Sequence, residues 1–172
     1  MNRERALAAI IQNGKIVMVK AEEEHRSYWT LPGGGVESCE TREEAAIREA
    51  KEEANIDIKI IRYLFEGQYS AGTEHCYLAV PVGNPIVELG YDPELEADQQ
   101  ILTNVEWKDM NTVQNDLHVR RVLEALSESE LKEFNIRVDD QRMSTTGLSC
   151  STRAFCMRTR NLPRLWRTNG LN

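Results

Sequence analysis

The chain has 172 residues, 41% apolar and 28% charged, which is typical of one globular domain with room for a core. No run approaches the roughly 18 apolar residues of a membrane span and no signal-peptide core is visible, so we expect a cytoplasmic protein without a membrane partner. The net charge of −7 conceals 15 basic and 28 acidic residues in positions 1–141, which argues against binding of a nucleic-acid polymer.

The N-terminal segment predicts a β-hairpin followed by a loop. Two apolar runs flank Asn13-Gly14, and both turn residues accept the positive φ that a two-residue hairpin needs. The following segment, residues 22–30, is mostly polar and reads EEEHRSYWT from position 22 onward. We therefore expect an irregular loop there, leading into Leu31-Pro32.

A helix is predicted from about Arg42 to Ala54. Thr41 and Glu44 have the spacing of a capping box, which satisfies free N–H groups at a helix start. Asn55 follows the helix, where a left-handed residue is favoured and Asn is the usual alternative to Gly. The apolar residues expected to form the buried stripe of this helix are Ala45, Ala46, Ile47 and Ala50.

The remaining body predicts strands and one further helix. Segments 56–70, 74–82 and 99–107 have the composition of strands, and residues 83–98 form an irregular acidic loop. Residues 114–126 predict an amphipathic helix. Its expected packing residues are Leu117, Val119, Val122, Leu123 and Leu126. Because strands and helices mix without a regular βαβ repeat, we expect a mixed-sheet α/β layer fold.

The C-terminal region differs from the body in composition. From Arg142 onward there are six arginines and no acidic residue, and residues 143–172 show no periodicity. We therefore predict a domain over 1–136 and a basic tail over 137–172. A flexible extension is favoured over a functional basic arm, since a polar segment has little apolar area to offset its ordering entropy.

Three carboxylates share one face of the predicted helix 42–54. Glu49, Glu52 and Glu53 are three and four residues apart, so they should repel one another unless a cation lies among them. Mg²⁺ commonly binds a few carboxylates together with substrate phosphates. Arg48 could orient a carboxylate through paired hydrogen bonds. A glutamate-rich helix considered alone is more often a solvated face.

A longer pattern surrounds these carboxylates. Gly34, five residues, Glu40, seven residues and then REAKEEANI at 48–56 resemble the Nudix box of the Nudix hydrolase family. Asn55 stands where that signature has a glycine, and it accepts the same left-handed conformation. The sequence is therefore similar to a Nudix hydrolase, with the box at residues 34–56.

The resemblance implies a fold, a reaction and a metal. The fold would be of the α/β class (α+β type), with a Nudix-like mixed β-sheet sandwiched between helices. The reaction would be Mg²⁺-dependent hydrolysis of a nucleoside diphosphate linked to another moiety, with Mn²⁺ as an alternative metal. The implied metal ligands are the carboxylates of Glu49, Glu52 and Glu53 and the carbonyl of Gly33.

The resemblance also implies catalytic roles. Glu49 would be either a metal ligand or the base that activates water, and both roles stay open. Arg48 would orient Glu49, while Glu40 would support the site electrostatically. Separately, Arg3 and Arg5 alternate on the first predicted strand, where their side chains could bind substrate phosphate.

The substrate subclass is less well defined by the sequence. The region beyond the box reads SAGTEHC, without the proline of many ADP-ribose hydrolases or the tyrosine of dinucleoside polyphosphate hydrolases. We therefore expect a small-molecule nucleotide, and favour a nucleoside triphosphate over a nucleotide sugar. The alternative is a non-catalytic nucleotide sensor, which retention of all four box carboxylates disfavours. A homodimer remains open.

Overall fold

A computed structural model describes residues 3–90 and 100–138 of the chain. The helices and strands of these ranges are β1 (Arg3–Gln12), β2 (Lys15–Glu23), β3 (Arg26–Thr30), β4 (Gly33–Gly35), α1 (Arg42–Ala54), β5 (Ile58–Tyr69), β6 (Gly72–Pro81), β7 (Leu102–Asp109), α2 (Leu117–Ala125) and α3 (Glu128–Glu133). No helix in these ranges is long and apolar enough to span a membrane.

The strands form one mixed sheet, as predicted. Its central order is β3-β2-β1-β6-β5, where β1 and β6 run parallel and the other neighbouring pairs run antiparallel. The hairpin partners β1 and β2 are paired only beside their turn, at Ile11–Ile16 and Gln12–Lys15. Farther from the turn, β4 pairs with β1 at Arg5 to Leu7, whereas β7 pairs with β2 from Lys15 to Ala21. The glycine strand β4 therefore lies against the first half of β1.

Two hydrophobic clusters cover the two faces of this sheet. Ala6 and Ala8 pack in the cluster that contains α1, whereas Leu7 and Ala9 pack in the cluster that contains α2. This division follows from strand geometry, because successive side chains point to opposite faces. The expected sheet sandwiched between helices is confirmed, with α1 on one face and α2 on the other.

Helix α1 has the predicted ends. The Glu44 N–H donates to Thr41 Oγ1 at 3.2 Å, and the Thr41 N–H donates to Glu44 Oε2 at 2.7 Å, completing the capping box. Asn55 is left-handed, with φ of 52°. Ile47 was expected in the buried stripe but is 40% exposed. The buried residues of the helix are Ala45, Ala46, Ala50 and Ala54.

The loop predicted over residues 22–30 is wrong, because the segment forms the end of β2 and all of β3. Val19 to Glu23 pair with Arg26 to Thr30 in an antiparallel ladder. Trp29 packs against the α2-side cluster, and the Lys108 ammonium lies 3.7 Å from the centre of its ring. Backbone pairing and burial of this aromatic ring thus outweigh the polar composition.

The C-terminal part of the body contains two helices where one was predicted. The expected helix 114–126 is observed as α2, in which Val119 and Val122 are buried but Leu117 is 58% exposed. The short helix α3 was not anticipated. It begins with a second capping box, formed by Ser127 and Glu130.

Beyond α3 the chain still contacts the body. The Gln114 Nε2 donates to the Arg137 carbonyl at 3.0 Å, and Ile136 is 7% exposed. Val138 packs against the α2-side cluster. The predicted tail falls almost entirely outside the described residues, so the boundary at 136 stays a prediction.

Candidate active site

The glycine strand β4 provides a surface that side chains cannot occupy. A Cβ added to Gly33 would overlap the carbonyl oxygen of Ala6 on β1, and a Cβ added to Gly34 would overlap the carboxylate of Glu49 on α1. Glycine at these positions therefore lets β4 pair with β1 and lets the Glu49 side chain lie directly against the strand.

Arg48 connects the helix to the glycine strand. Its Nη1 donates to Glu49 Oε1 and to Glu52 Oε2, both at 2.9 Å. Its Nε and Nη2 donate to Glu40 at 3.2 and 2.8 Å, and Nη2 also donates to the Gly35 carbonyl at 3.0 Å. All five N–H donors of the guanidinium therefore have an acceptor. Arg48 therefore contacts both Glu49 and Glu40, and the orienting role that the resemblance implies for it stays a prediction.

The two carboxylates beside Arg48 have opposite electrostatic environments. Hydrogen bonds from Arg48 are the main reason that the pKa of Glu40 lies below its usual range. Glu49 is 12% exposed, and burial raises its pKa despite the opposing charge of Arg48. A carboxyl group with a raised pKa accepts a proton more readily near neutral pH, which suits a general base.

Gly33 is hydrogen-bonded on both sides of its backbone. Its N–H donates to Glu53 Oε2 at 2.9 Å, while its carbonyl accepts from Arg5 Nη2 at 2.7 Å. The structure therefore brings Arg5 to the oxygen that was expected to bind metal. The structure does not bring the Arg3 side chain to this oxygen. That side chain is exposed, the Arg3 N–H donates to the Ala71 carbonyl, and the Arg3 carbonyl accepts from the Tyr69 hydroxyl.

The donor set suits a hard divalent cation by its chemistry. Glu49, Glu52, Glu53 and the Gly33 carbonyl offer oxygen ligands, which Mg²⁺ and Mn²⁺ prefer. In this structure these oxygens accept hydrogen bonds from N–H donors. Within residues 3–90 and 100–138, no group of three acidic, histidine or cysteine side chains is already arranged to hold a metal ion. A cation would take the place of those donors. Residues 91–98 of the acidic loop predicted at 83–98 lie outside the described ranges.

A second polar cluster lies under α2 and was not anticipated. Glu74 on β6 is 6% exposed, accepts from Arg121 Nη1 at 3.0 Å, and has Oε2 at 3.5 Å from His118 Nε2. The hydrogen bond from His118 is the main cause of the lowered pKa of Glu74. No sequence spacing joins these three residues, because Glu74 lies on β6 and the other two lie on α2.

Comparison with known proteins identifies the family. The model of the NUDIX domain matches residues 1–128, about three-quarters of the chain. The chain belongs to the NUDIX family. The predicted resemblance to the Nudix family is therefore confirmed.

Individual relatives align with different shares of this NUDIX-family chain. A segment of 48 residues is 52% identical to "Putative 8-oxo-dGTP diphosphatase YtkD" of Bacillus subtilis (strain 168), spanning 28% of each chain. A NUDIX-family hydrolase from Clostridium perfringens superposes with a TM-score of 0.57 at 15% identity, over 73% of this chain and 96% of that one. An Ap4A hydrolase from C. elegans gives a TM-score of 0.52 at 23% identity, over 76% and 95%. At these identities the two structures establish the fold alone.

Proposed function

We propose that this NUDIX protein is a Mg²⁺-dependent pyrophosphohydrolase of a nucleoside triphosphate, with Mn²⁺ as an alternative metal. The observation that carries the proposal is the arrangement around Arg48, which holds the half-buried Glu49 against Gly34 and beside Glu52. On a solvated helix face, the carboxylates are expected to be exposed and the donors of an adjacent arginine to be hydrated by water.

The residues of the chain suggest how water would be activated. Glu49 lies at the centre of the site, and its raised pKa suits acceptance of a proton from the attacking water. The water oxygen bonds to one phosphorus of the α–β anhydride, and the bond from that phosphorus to the bridging oxygen breaks. The leaving group, which is pyrophosphate or the nucleoside monophosphate, keeps the bridging oxygen. Arg48 fixes the Glu49 carboxylate during this transfer, and Glu40 fixes Arg48 from its other side.

Glu52, Glu53 and the Gly33 carbonyl are the groups that would hold the metal, with Glu49 as a further ligand if another group acts as base. A bound divalent cation would supply neutralisation of the charge on the pyrophosphate. The oxygen chemistry of these groups supports this assignment, and so does the location of Glu53, whose carboxylate reaches Gly33 from the helix.

The triphosphate substrate is supported by the one segment of high identity. That segment matches a protein whose name describes a nucleoside triphosphate diphosphatase, in agreement with the preference drawn from the sequence. The non-catalytic sensor is the less supported alternative, because the Arg48 network and the carboxylates of the box are all in place.

The test is a panel of nucleotides incubated with the purified protein. Deoxyguanosine triphosphate, its 8-oxo derivative, a diadenosine polyphosphate, ADP-ribose and a uridine diphosphate sugar would be incubated with Mg²⁺, with Mn²⁺ or with EDTA. We expect at least one triphosphate to yield a monophosphate and pyrophosphate with metal, and no turnover with EDTA. Turnover unaffected by chelation would refute metal dependence, and binding without turnover of any compound would favour the sensor.

A further inference from the structure

Gly33 joins two oppositely charged side chains from different elements. Glu53 of α1 accepts its N–H at 2.9 Å, and Arg5 of β1 donates to its carbonyl at 2.7 Å. The backbone of Gly33 cannot move aside easily, because it is paired with Leu7 and closely packed on Ala6. The carbonyl oxygen therefore has a fixed position, and the positively charged group that contacts it is the Arg5 guanidinium.

The charge of Arg5 reaches the carboxylates around it. The guanidinium is half-buried, and its carbon lies 5.5 Å from the centre of the Tyr69 ring. Its charge is a minor cause that lowers the pKa of Glu49 and also that of Glu74, two carboxylates from separate clusters. Arg5 therefore lies close enough to both carboxylates to influence them electrostatically.

The contact with Gly33 conflicts with metal binding at the same oxygen. A Mg²⁺ ion binds oxygen at about 2.0–2.1 Å, so an ion on this carbonyl would lie within about 5 Å of an arginine nitrogen still bonded there. Two like charges at that distance repel strongly in a partly buried site, and the divalent ion carries the larger charge. A metal on the Gly33 carbonyl would therefore displace the guanidinium.

We propose, resting on the function proposed above, that Arg5 is a positioning residue that changes partner when the metal binds. Without metal it occupies the Gly33 carbonyl; once a divalent cation takes that oxygen, its guanidinium turns to the phosphates of the nucleotide. A guanidinium suits this exchange because its donors match phosphate oxygens in pairs. Metal and nucleotide then bind with positive coupling, because the metal frees the group that holds the nucleotide.

The first test measures metal affinity without nucleotide, by electron paramagnetic resonance of free Mn²⁺. Arg5→Met should bind Mn²⁺ at least about threefold more tightly than the wild type, because the competing cation is gone. Arg120→Met is the charge-matched control: Arg120 is 63% exposed on α2 and pairs with Glu124. The control should stay within about twofold of the wild type.

The second test separates nucleotide binding from turnover. With saturating Mg²⁺, Arg5→Met should raise KM for the best substrate at least about tenfold and lower kcat much less. Arg5→Lys keeps the charge but loses the paired donors, so Mn²⁺ affinity should be near that of the wild type while KM still rises. Thermal melting would verify that each variant is folded.

A third measurement needs no substitution. Nitrogen-15 resonances of the Arg5 guanidinium should shift when Mg²⁺ alone is added to the wild-type protein, because the Gly33 contact is released. Unchanged Arg5 resonances, or Mn²⁺ affinity of Arg5→Met equal to or weaker than that of the wild type, would overturn the exchange. If the wild type hydrolyses nucleotides, but its Arg5 resonances do not shift and Arg5→Met does not bind Mn²⁺ more tightly, only this inference fails. If it neither binds Mn²⁺ nor hydrolyses any nucleotide, the proposed function fails and the inference with it.

Discussion

The carboxylate of Glu49 lies so close to Gly34 that no side chain fits between them. A Cβ at position 34 would overlap the Glu49 Oε1 and Oε2 atoms, although the backbone of Gly34 is paired normally with Ala6. The Glu49 side chain, whose Oε1 accepts a hydrogen bond from Arg48, thus depends on the absence of a side chain on β4.

The first prediction follows from this contact. Gly34→Ala should push the Glu49 carboxylate away from Arg48 and lower kcat at least about a hundredfold, a loss of roughly 3 kcal/mol of transition-state stabilisation. Gly35→Ala is the matched control, because no atom lies within 4 Å of its added Cβ. Steady-state kinetics on the two variants decide the matter, and equal activities would show that the Glu49 position is not critical.

The second prediction concerns Glu53. Glu53→Gln keeps an oxygen that can accept the Gly33 N–H but removes one charge from the proposed metal site. We expect turnover to fall at least about a hundredfold and Mn²⁺ binding to weaken, while the fold survives. Glu43→Gln, an exposed position on the same helix, should behave like the wild type. Near-normal turnover of Glu53→Gln would assign Glu53 to a solvated face.

The third prediction uses the raised pKa of Glu49. Burial favours the protonated Glu49 carboxyl in the folded protein. At pH values above the ordinary pKa of 4.5, ionisation of Glu49 therefore lowers the free energy of unfolding. In EDTA at pH 7, Glu49→Gln should therefore be more stable than the wild type by about 1 kcal/mol. The advantage should shrink as the pH falls through the raised pKa and vanish below 4.5. Urea unfolding at several pH values measures it, and no gain at pH 7 would contradict the burial argument.

The fourth prediction concerns an ion pair that joins β5 to α3. Arg62 donates to Glu130 at 2.7 and 2.8 Å and to the Ala125 carbonyl at 2.9 Å. The hydrogen bonds from Arg62 to Glu130 are the main reason that the pKa of Glu130 is lowered to about 2. A lowered carboxyl pKa stabilises the fold above 4.5, and this contribution is lost as pH falls towards 2.

Glu130→Gln should accordingly lower the free energy of unfolding by about 1–2 kcal/mol at pH 7, and the difference should disappear near pH 2. Glu124→Gln is the control, because Glu124 is 58% exposed and pairs with Arg120 only at 3.8 Å. Denaturant unfolding of both variants would test this, and a loss at pH 7 equal to that of the control would mean that the Arg62 pair contributes no special stability.

The fifth prediction concerns the boundary of the domain. A chain ending at Asp140 should fold, keep its metal-dependent turnover and melt close to the full-length protein at physiological salt, where exposed charges are largely screened beyond about 8 Å. A chain ending at Asn135 should melt at a lower temperature, because it lacks the buried Ile136 and the Arg137 carbonyl that Gln114 binds. Loss of turnover in the longer chain would assign residues beyond 140 to the working enzyme.

The sequence by itself determined the features that depend on near neighbours. The ends of α1 were readable because the capping box joins residues three apart and Asn55 needs only its own φ. The hairpin was readable for the same reason, since Asn13 and Gly14 adopt the positive φ values that their residue types allow. The carboxylates of the box share a face because helical periodicity puts them there.

Only the tertiary structure decided which distant groups meet. Residues 26–30 form a strand because they pair with β2 and because Trp29 packs against a hydrophobic cluster. Neither contact can be read from local composition. Arg5 lies 28 residues from Gly33 in sequence, and the pairing of β4 with β1 brings its donor to that carbonyl. The partners of Glu74 likewise come from α2. Such contacts depend on how the sheet and helices pack, because side-chain burial and long-range hydrogen bonds are set by the whole fold.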